Sequence, residues 1–357
     1  MSKQEGMNYA PKGKPNPVVK EGEYIVAACG LDHGHIFGMC NGLTEAGATL
    51  KWVYDPDPAK VKQFCEFFPQ VRVADSEEQI MNDPEVRMVA SSCIANRRAD
   101  MGIRAMRAGK DCFLDKAAIT TLDQLARVKQ ALKETGRRFF IYFSERLHVE
   151  AAVYAGQLIE QGAIGKVVQV TGLGPHRISL NSRPDWFFNR EEYGGILCDI
   201  GAHQVEQFLY FTGAKDAQVV NSQIANYNHP EHPGLDDYGD MTVVGDNGCT
   251  GFFRLDWFTP DGLSTWGDGR MFIQGTDGFI ELRKYVDIGH SDEGDNVYMV
   301  NNSGTYRFNV AGKVGYPFFG QMILDSMNGT ENAMTQDHIL KASELAIKAE
   351  LFARKLH

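Results

Sequence analysis

The chain has 357 residues, 43% hydrophobic and 23% charged, the make-up of an ordinary globular protein large enough for two domains. A formal net charge of −10 lacks the basic footprint that nucleic acids and anionic membranes require, leaving small molecules as the expected partners. Seven cysteines, widely spaced and without a CxxC pair, suit reduced thiols in a cytoplasmic protein rather than disulfides or a zinc site, and no run of 18 apolar residues could span a membrane.

Residues 1–22 are polar, with four Lys, three Pro and no apolar core, which is not the pattern of a secretory signal. Pro11 to Pro17 reads as an extended arm, either disordered or laid on a neighbouring subunit. Tyr24 to Cys29 is a short apolar strand, followed by a turn at Gly30, a helical pattern over Ile36 to Ala46, a second strand over Leu50 to Tyr54, and then Asp55. Strand, glycine turn, helix, strand and acid is the layout of a dinucleotide-binding βαβ unit. The turn reads Gly30-Leu31-Asp32-His33-Gly34-His35-Ile36-Phe37-Gly38 in place of G-x-G-x-x-G, so its glycines alone specify little. Asp55 stands where a carboxylate accepts from a ribose 2′-hydroxyl and repels a 2′-phosphate, favouring NAD over NADP. Asp55-Pro56-Asp57-Pro58 is equally a turn and helix start. Candidate cofactor contacts here are Gly30, Asp32, His33, Gly34, His35, Ile36 and Asp55.

The alternation continues with a strand over Met88 to Ser92, a helix over Arg97 to Ala108 closed by Gly109, and a strand over Asp111 to Leu114. Thr120 or Thr121 caps a helix whose Leu122, Leu125, Val128 and Leu132 share a face, and Phe139 to Phe143 is a further strand. This spacing predicts a doubly wound parallel sheet, a Rossmann domain over 23–145 with ligands at the carboxyl ends of its strands. Ser92, Asp115 and Lys116 stand at such ends and join the candidate cofactor contacts.

From Lys166 onward the pattern changes. Strands over Val167 to Thr171, Ala217 to Ala225, Met241 to Val244, Thr250 to Trp257, Met271 to Gln274 and Phe279 to Leu282 predict an α+β domain over 146–335 with a large, mainly antiparallel open sheet. Gly315 to Asn328 and Gln336 to Leu356 read as helices, and the expected last segment, 336–357, is a helix packing back on the body. Gly194-Gly195-Ile196-Leu197-Cys198-Asp199-Ile200-Gly201-Ala202-His203 reads as a loop feeding a helix that continues through Val205, Phe208 and Leu209 to a stop at Gly213. Asp199 and His203, four apart, share a face, and the positive end of the helix dipole keeps a neutral imidazole available as a base. A capping Asp and a buried, hydrogen-bonded His would leave the same pattern.

Polar and aromatic residues without an evident structural task collect at His176, Arg177 and Trp186, where aromatic faces and hydrogen-bonding groups suit a polyhydroxylated ring. Asp256 to Asp261 and Trp266 to Arg270 have similar character. His229-Pro230-Glu231-His232 with Asp236 and Asp237 carries metal-ligand residue types, but its prolines and spacing read as a surface loop. His33 and His35 read as neighbours of substrate or cofactor. No metal site is expected.

Ala108-Gly109-Lys110-Asp111-Cys112-Phe113-Leu114-Asp115-Lys116-Ala117 resembles the "A-G-K-x-V-x-x-E-K-P" stretch of the Gfo/Idh/MocA oxidoreductases, the glucose-fructose oxidoreductase and inositol dehydrogenase superfamily. Gly162 to Val167 is similar to that family's "G-x-I-G-x-V", and Gly194 to His203 to its "G-G-x-x-x-D-x-G-x-H". Asp115 and Ala117 replace the usual Glu and Pro, and Cys93 to Arg98 lacks the common T-P-N-x-x-H. The resemblance implies a catalytic trio of Lys116, Asp199 and His203, which also touch substrate. It implies hydride transfer between NAD(P) and a secondary alcohol or ketone of a sugar, sugar derivative or cyclitol, and pairing through the open sheet into a homodimer or homotetramer. Two other readings fit the same site: a redox-neutral, NAD-dependent glycosidase or lyase, and a non-catalytic NAD-binding regulator.

Overall fold

The computed structural model describes residues 5–356 and divides into two compact units. One comprises residues 7–142 and 316–340; the other comprises residues up to 6, 143–315 and those from 341 onward.

The first unit alternates β1 Ile25–Cys29, α1 His35–Glu45, β2 Thr49–Tyr54, α2 Pro58–Phe67, β3 Arg72–Val73, α3 Glu77–Asn82, β4 Val86–Ser91, α4 Ala95–Arg107, β5 Asp111–Asp115, α5 Leu122–Thr135 and β6 Phe139–Tyr142. Its six strands lie in the order β3-β2-β1-β4-β5-β6, every pairing parallel. Every residue of β5 and β6 is buried, as befits strands covered on both faces. Helix starts follow the side chains available. Asp57 accepts from the Ala59 N–H ahead of α2, and Thr121, not Thr120, caps α5 by accepting from Gln124 N at 3.1 Å.

Two features of this unit depart from expectation. Residues 7–19 run extended along α1 of their own chain. Gly13 N donates to the Glu45 carboxylate at 2.9 Å, and Asn16 N and Val18 N donate to the Glu45 and Ala46 carbonyls at 2.9 Å. Side chains at Gly34 and Gly38 would collide with Met7, Asn8 and Tyr9, so these small residues form the groove in which the arm backbone lies. The chain also returns: Tyr316–Leu340, expected in the second domain as far as 335 and in the closing helix beyond it, belongs to this unit. Within it α11, Pro317–Asn328, sets Phe319 over Gly42 of α1 and against Phe113 of β5.

The second unit contains α6 Ser144–Leu147, α7 Glu150–Glu160, β7 Val167–Pro175, α8 Arg190–Tyr193, α9 Ile196–Asp199, α10 Gly201–Thr212, β8 Ala217–Ala225, β9 Tyr238–Gly245, β10 Thr250–Asp256, β11 Arg270–Gly275, β12 Gly278–Arg283, β13 Asn296–Asn301, β14 Gly304–Asn309, most of α12 Gln336–Leu351, and β15 Arg354–Lys355. Nine strands form one sheet in the order β14-β13-β12-β11-β7-β10-β9-β8-β15, antiparallel except at β7–β10 and β8–β15. The last described element is therefore an edge strand, and α12 stops at Leu351 short of the Leu356 expected for it. Helices α7, α9 and α10 cover one face. The other carries Phe252 and Phe272, 41% and 36% exposed, either side of Thr171.

Candidate active site

At the nucleotide turn, Gly30 has φ +79°, and a Cβ there would lie 2.8 Å from Cys93 Cβ, so only glycine fits. Asp55, buried at the end of β2, accepts from Leu31 N at 2.6 Å and Asp57 N at 2.9 Å; its carboxylate braces the turn it faces. Asp32 stands in the second glycine position of the common fingerprint, paired with Lys60 at 2.5 Å and accepting from Ile94 N at 3.1 Å. Ser92 Oγ donates to His33 O at 2.6 Å. Helix α1 starts at His35 with no side-chain cap on its first turn. A glycine turn without room for a side chain, an uncapped helix start and a buried acid closing β2 fit a dinucleotide held by Gly30, Ile36, Asp55 and Ser92.

Behind this turn lies a cluster that the sequence did not assemble. His33 Nδ1 and His35 Nδ1 lie 3.3 and 2.8 Å from the two oxygens of Asp115, and Arg98 reaches the same carboxylate at 3.0 Å. Arg98 also donates to Cys93 O at 2.6 Å and to Lys116 O. Burial alone would raise the Asp115 carboxyl, but Arg98, His35 and His33 hold it well below its ordinary range. Burial, then His35, Arg98 and Lys116, depresses His33 against the pull of Asp115. Among the described residues His33, His35 and Asp115 are the one trio spaced for a metal, but the Arg98 guanidinium already occupies the place of a cation. Lys116 follows directly, 5% exposed, and its peptide bond to Ala117 is cis.

In the second unit, Gly195 (φ +89°, ψ 159°) opens α9 in a conformation closed to other residues. A Cβ there would fall 2.1 Å from the Glu350 carboxyl carbon. Glu350 accepts from Leu197 N at 2.9 Å and pairs with Arg190, which reaches both oxygens of Asp236 at 2.7 Å; Tyr193 OH joins Asp236 at 3.1 Å. This anchor fixes the start of the segment carrying Asp199, the last residue of α9, and His203, the third of α10 and 2% exposed. Burial and the Asp236 charge, opposed by Arg190, raise the Glu350 carboxyl from 4.5 to about 7. The native state therefore holds that proton where the unfolded chain has lost it, so this group's contribution to stability falls as pH rises from 4.5 to about 7. The urea midpoint is expected to decline across that window in the wild type and to flatten in Glu350→Gln.

The expected substrate residues separate. His176, 8% exposed, lies 4.5 Å from the Trp266 ring and 5.3 Å from Trp257. Its Nδ1 lies 3.1 Å from Gly174 O, and because a carbonyl only accepts, that nitrogen carries a proton. Arg177 instead clamps a loop, donating to Pro260 O at 3.1 Å and Leu263 O at 2.8 Å. Trp186 is half-buried, edge-on to Phe187. Arg183, which opens the polar and aromatic segment that holds Trp186, stacks 4.3 Å over Phe187 and 4.8 Å over Trp257. Burial pulls its guanidinium down to about 10 against the opposing charges of Asp199 and Glu5, which marks it as a neighbour of Asp199. The 229–237 segment is a surface loop at Pro230, Glu231 and Pro233, but His229 folds inward, 2.9 Å from the fully buried Asp237.

All seven cysteines are free, and among the described residues no helix is long and apolar enough to cross a membrane. Residues 34–143 match the oxidoreductase family with an NAD-binding Rossmann fold, and residues 153–281 match the GFO/IDH/MocA C-terminal domain. The chain is 25% identical over 240 residues to scyllo-inositol 2-dehydrogenase (NAD(+)) of Bacillus subtilis, and 29% identical over 245 residues to levoglucosan dehydrogenase of Pseudarthrobacter phenanthrenivorans. These alignments cover 66% and 64% of this chain and span 66% and 61% of the relatives' own lengths. The crystal structure of a provisionally named oxidoreductase from Erwinia carotovora atroseptica superposes with a TM-score of 0.91 at 50% identity, covering 94% of this chain and all of that one. The chain belongs to the Gfo/Idh/MocA family of NAD(P)-dependent oxidoreductases.

Proposed function

We propose that the protein oxidises a secondary alcohol of a sugar, sugar derivative or cyclitol with NAD, or reduces the matching ketone. The observation that carries this reading is the intact pattern of Lys116, Asp199 and His203 in a member of this family. When bound, the nicotinamide supplies the two-electron acceptor or donor. His203 takes the hydroxyl proton, while the Lys116 ammonium hydrogen-bonds the same oxygen and stabilises its developing negative charge. Asp199 orients the substrate or fixes the histidine tautomer, and the three groups titrate as a coupled set. His176 and Trp186 supply faces for the ring and Arg183 a charge beside Asp199. The carboxylates of Asp55 and Asp32 disfavour a 2′-phosphate, supporting NAD over NADP. The exposed face around Phe252 and Phe272 supports pairing with a second copy into a dimer or tetramer in the cytoplasm.

The test is the absorbance of reduced nicotinamide when the protein is mixed with NAD or NADP across inositols, monosaccharides, sugar acids and glycosides. We expect turnover with NAD on one ring type and at least about tenfold less with NADP, one carboxylate–phosphate repulsion being of that order. Silence across the panel with NAD still bound would overturn the reading, and aglycone release without net reduced cofactor would replace it with the redox-neutral one.

A further inference from the structure

Polar side chains on α10 that a surface helix would turn to water are buried here, and each is tied. Gln204, Glu206 and Gln207 have no exposed surface, and Glu145 and Lys284 are each 2% exposed. Glu145 Oε2 accepts from Lys284 Nζ at 2.9 Å and from Gln204 Nε2 at 3.0 Å. Lys284 Nζ also donates to Gln207 Oε1 at 2.8 Å, and Gln207 Nε2 donates to the carbonyl of His203 at 2.9 Å. The ring of bonds thus grips His203 twice, through its own carbonyl and through the residue that follows it. Gly172 of β7 makes room, since a Cβ there would lie 2.3 Å from Gln204 Oε1.

The other oxygen, Glu145 Oε1, is buried, has no hydrogen-bond partner among the described residues and stands 4.0 Å from His176 Nε2. A buried ion pair gives little net stability, because desolvation offsets its attraction, and apolar side chains would fill the same space at no such cost. Stability therefore does not account for this arrangement. Its place does: the carboxylate stands 4.0 Å from His176 and is linked through Gln204, and through Lys284 and Gln207, to the backbone at His203.

Resting on the function proposed above, we propose that Glu145 is a positioning residue: its carboxylate, tied through one oxygen to Lys284 and Gln204, orients His203 and stabilises the imidazolium formed when the substrate proton arrives. Burial opposes ionisation of Glu145, yet Lys284, His203 and His176 together hold its carboxyl at about 2, so it stays anionic throughout the working range. The charged and titratable groups facing it are Lys284 beyond β12, His203 on α10 and His176 beyond β7. The neighbouring residue on α6, Arg146, is taken up by its own buried pair with Glu206 of α10.

The experiment compares wild type with Glu145→Gln, which keeps the shape and removes the charge, and with Lys284→Gln, which leaves the anion uncompensated. Imidazole proton resonances, assigned with His176→Asn and His203→Asn, are titrated without substrate, and the pH dependence of kcat/KM is measured where turnover is found. In Glu145→Gln the His203 titration should move down by about one unit, the acid limb of kcat/KM should follow it, and kcat should fall about tenfold or more, the scale of a general-base contribution. In Lys284→Gln the titration should move up. Unchanged titrations in folded variants would overturn the proposal, as would loss of the folded state in both, which would assign the pair to folding. If the wild type turns over no polyol the functional reading fails by itself, while the titrations still decide the role of Glu145.

Discussion

Replacing Lys116 by Met is expected to lower kcat by about 10³-fold while NAD affinity changes less than about threefold, because an ammonium hydrogen-bonded to the reacting oxygen contributes on the order of 10²–10⁴ to proton-coupled steps. Met keeps most of the length and apolar stem of the side chain, so the loss falls on charge and donor alone. The backbone there does not depend on the side chain: Arg98 holds the Lys116 carbonyl and, through Asp115, the end of β5. Steady-state turnover on the substrate found in the panel, with dinucleotide binding followed by fluorescence, separates the two effects. Wild-type rates in the variant would remove Lys116 from the catalytic trio.

The second large effect is expected on stability. Gly195→Ala should destabilise the protein by about 3 kcal/mol or more, since it combines a backbone conformation costing roughly 1–3 kcal/mol for any other residue with a steric conflict. The added methyl would meet the Glu350 carboxyl at 2.1 Å, and that carboxyl is held by Arg190 and by Leu197 N. Displacing it frees the entry of α9, so the surviving folded fraction should also lose activity through misplacement of Asp199 and His203. Denaturant unfolding and kcat on the same preparation test both. By contrast, Gly109→Ala, at φ +80° with nothing within 4 Å of the new methyl, should lose stability from backbone strain alone.

These glycines show what was legible in the chain. A strand ending at a glycine, a helix and a strand ending at an acid are local patterns, and β1, α1, β2 and Asp55 stand where period and punctuation put them. Gly194, Gly195, Asp199 and His203 were readable for the same reason: the chemistry is packed into ten residues. What escaped notice depends on pairs distant in the chain. Glu145 and Lys284 meet across 139 residues, and Arg190 and Glu350 across 160. Polar residues of α10 look solvent-facing until their buried partners are known. The strand β14 lies at the sheet edge with no buried residue, and β13, beside it, is a short apolar run from Val297 to Val300 rather than an alternating one. The course of the arm was not legible because composition reports low hydrophobicity but not the backbone groove that α1 provides. Asp55 had been read as a ribose ligand or a turn former, and its two bonds to backbone N–H groups display the second role directly.

The return of Tyr316–Leu340 to the nucleotide unit bears on how the protein is made. A ribosome delivers β1 to β6 first, but Phe319, which closes over Gly42 and Phe113, leaves the exit tunnel only after the whole of residues 143–315 has been synthesised. At about 5–20 residues per second that interval is on the order of ten seconds or more. During it the Phe113 surface of the nucleotide unit lacks its cover, a natural target for chaperones. A messenger truncated before codon 340 would yield a chain in which neither unit is complete.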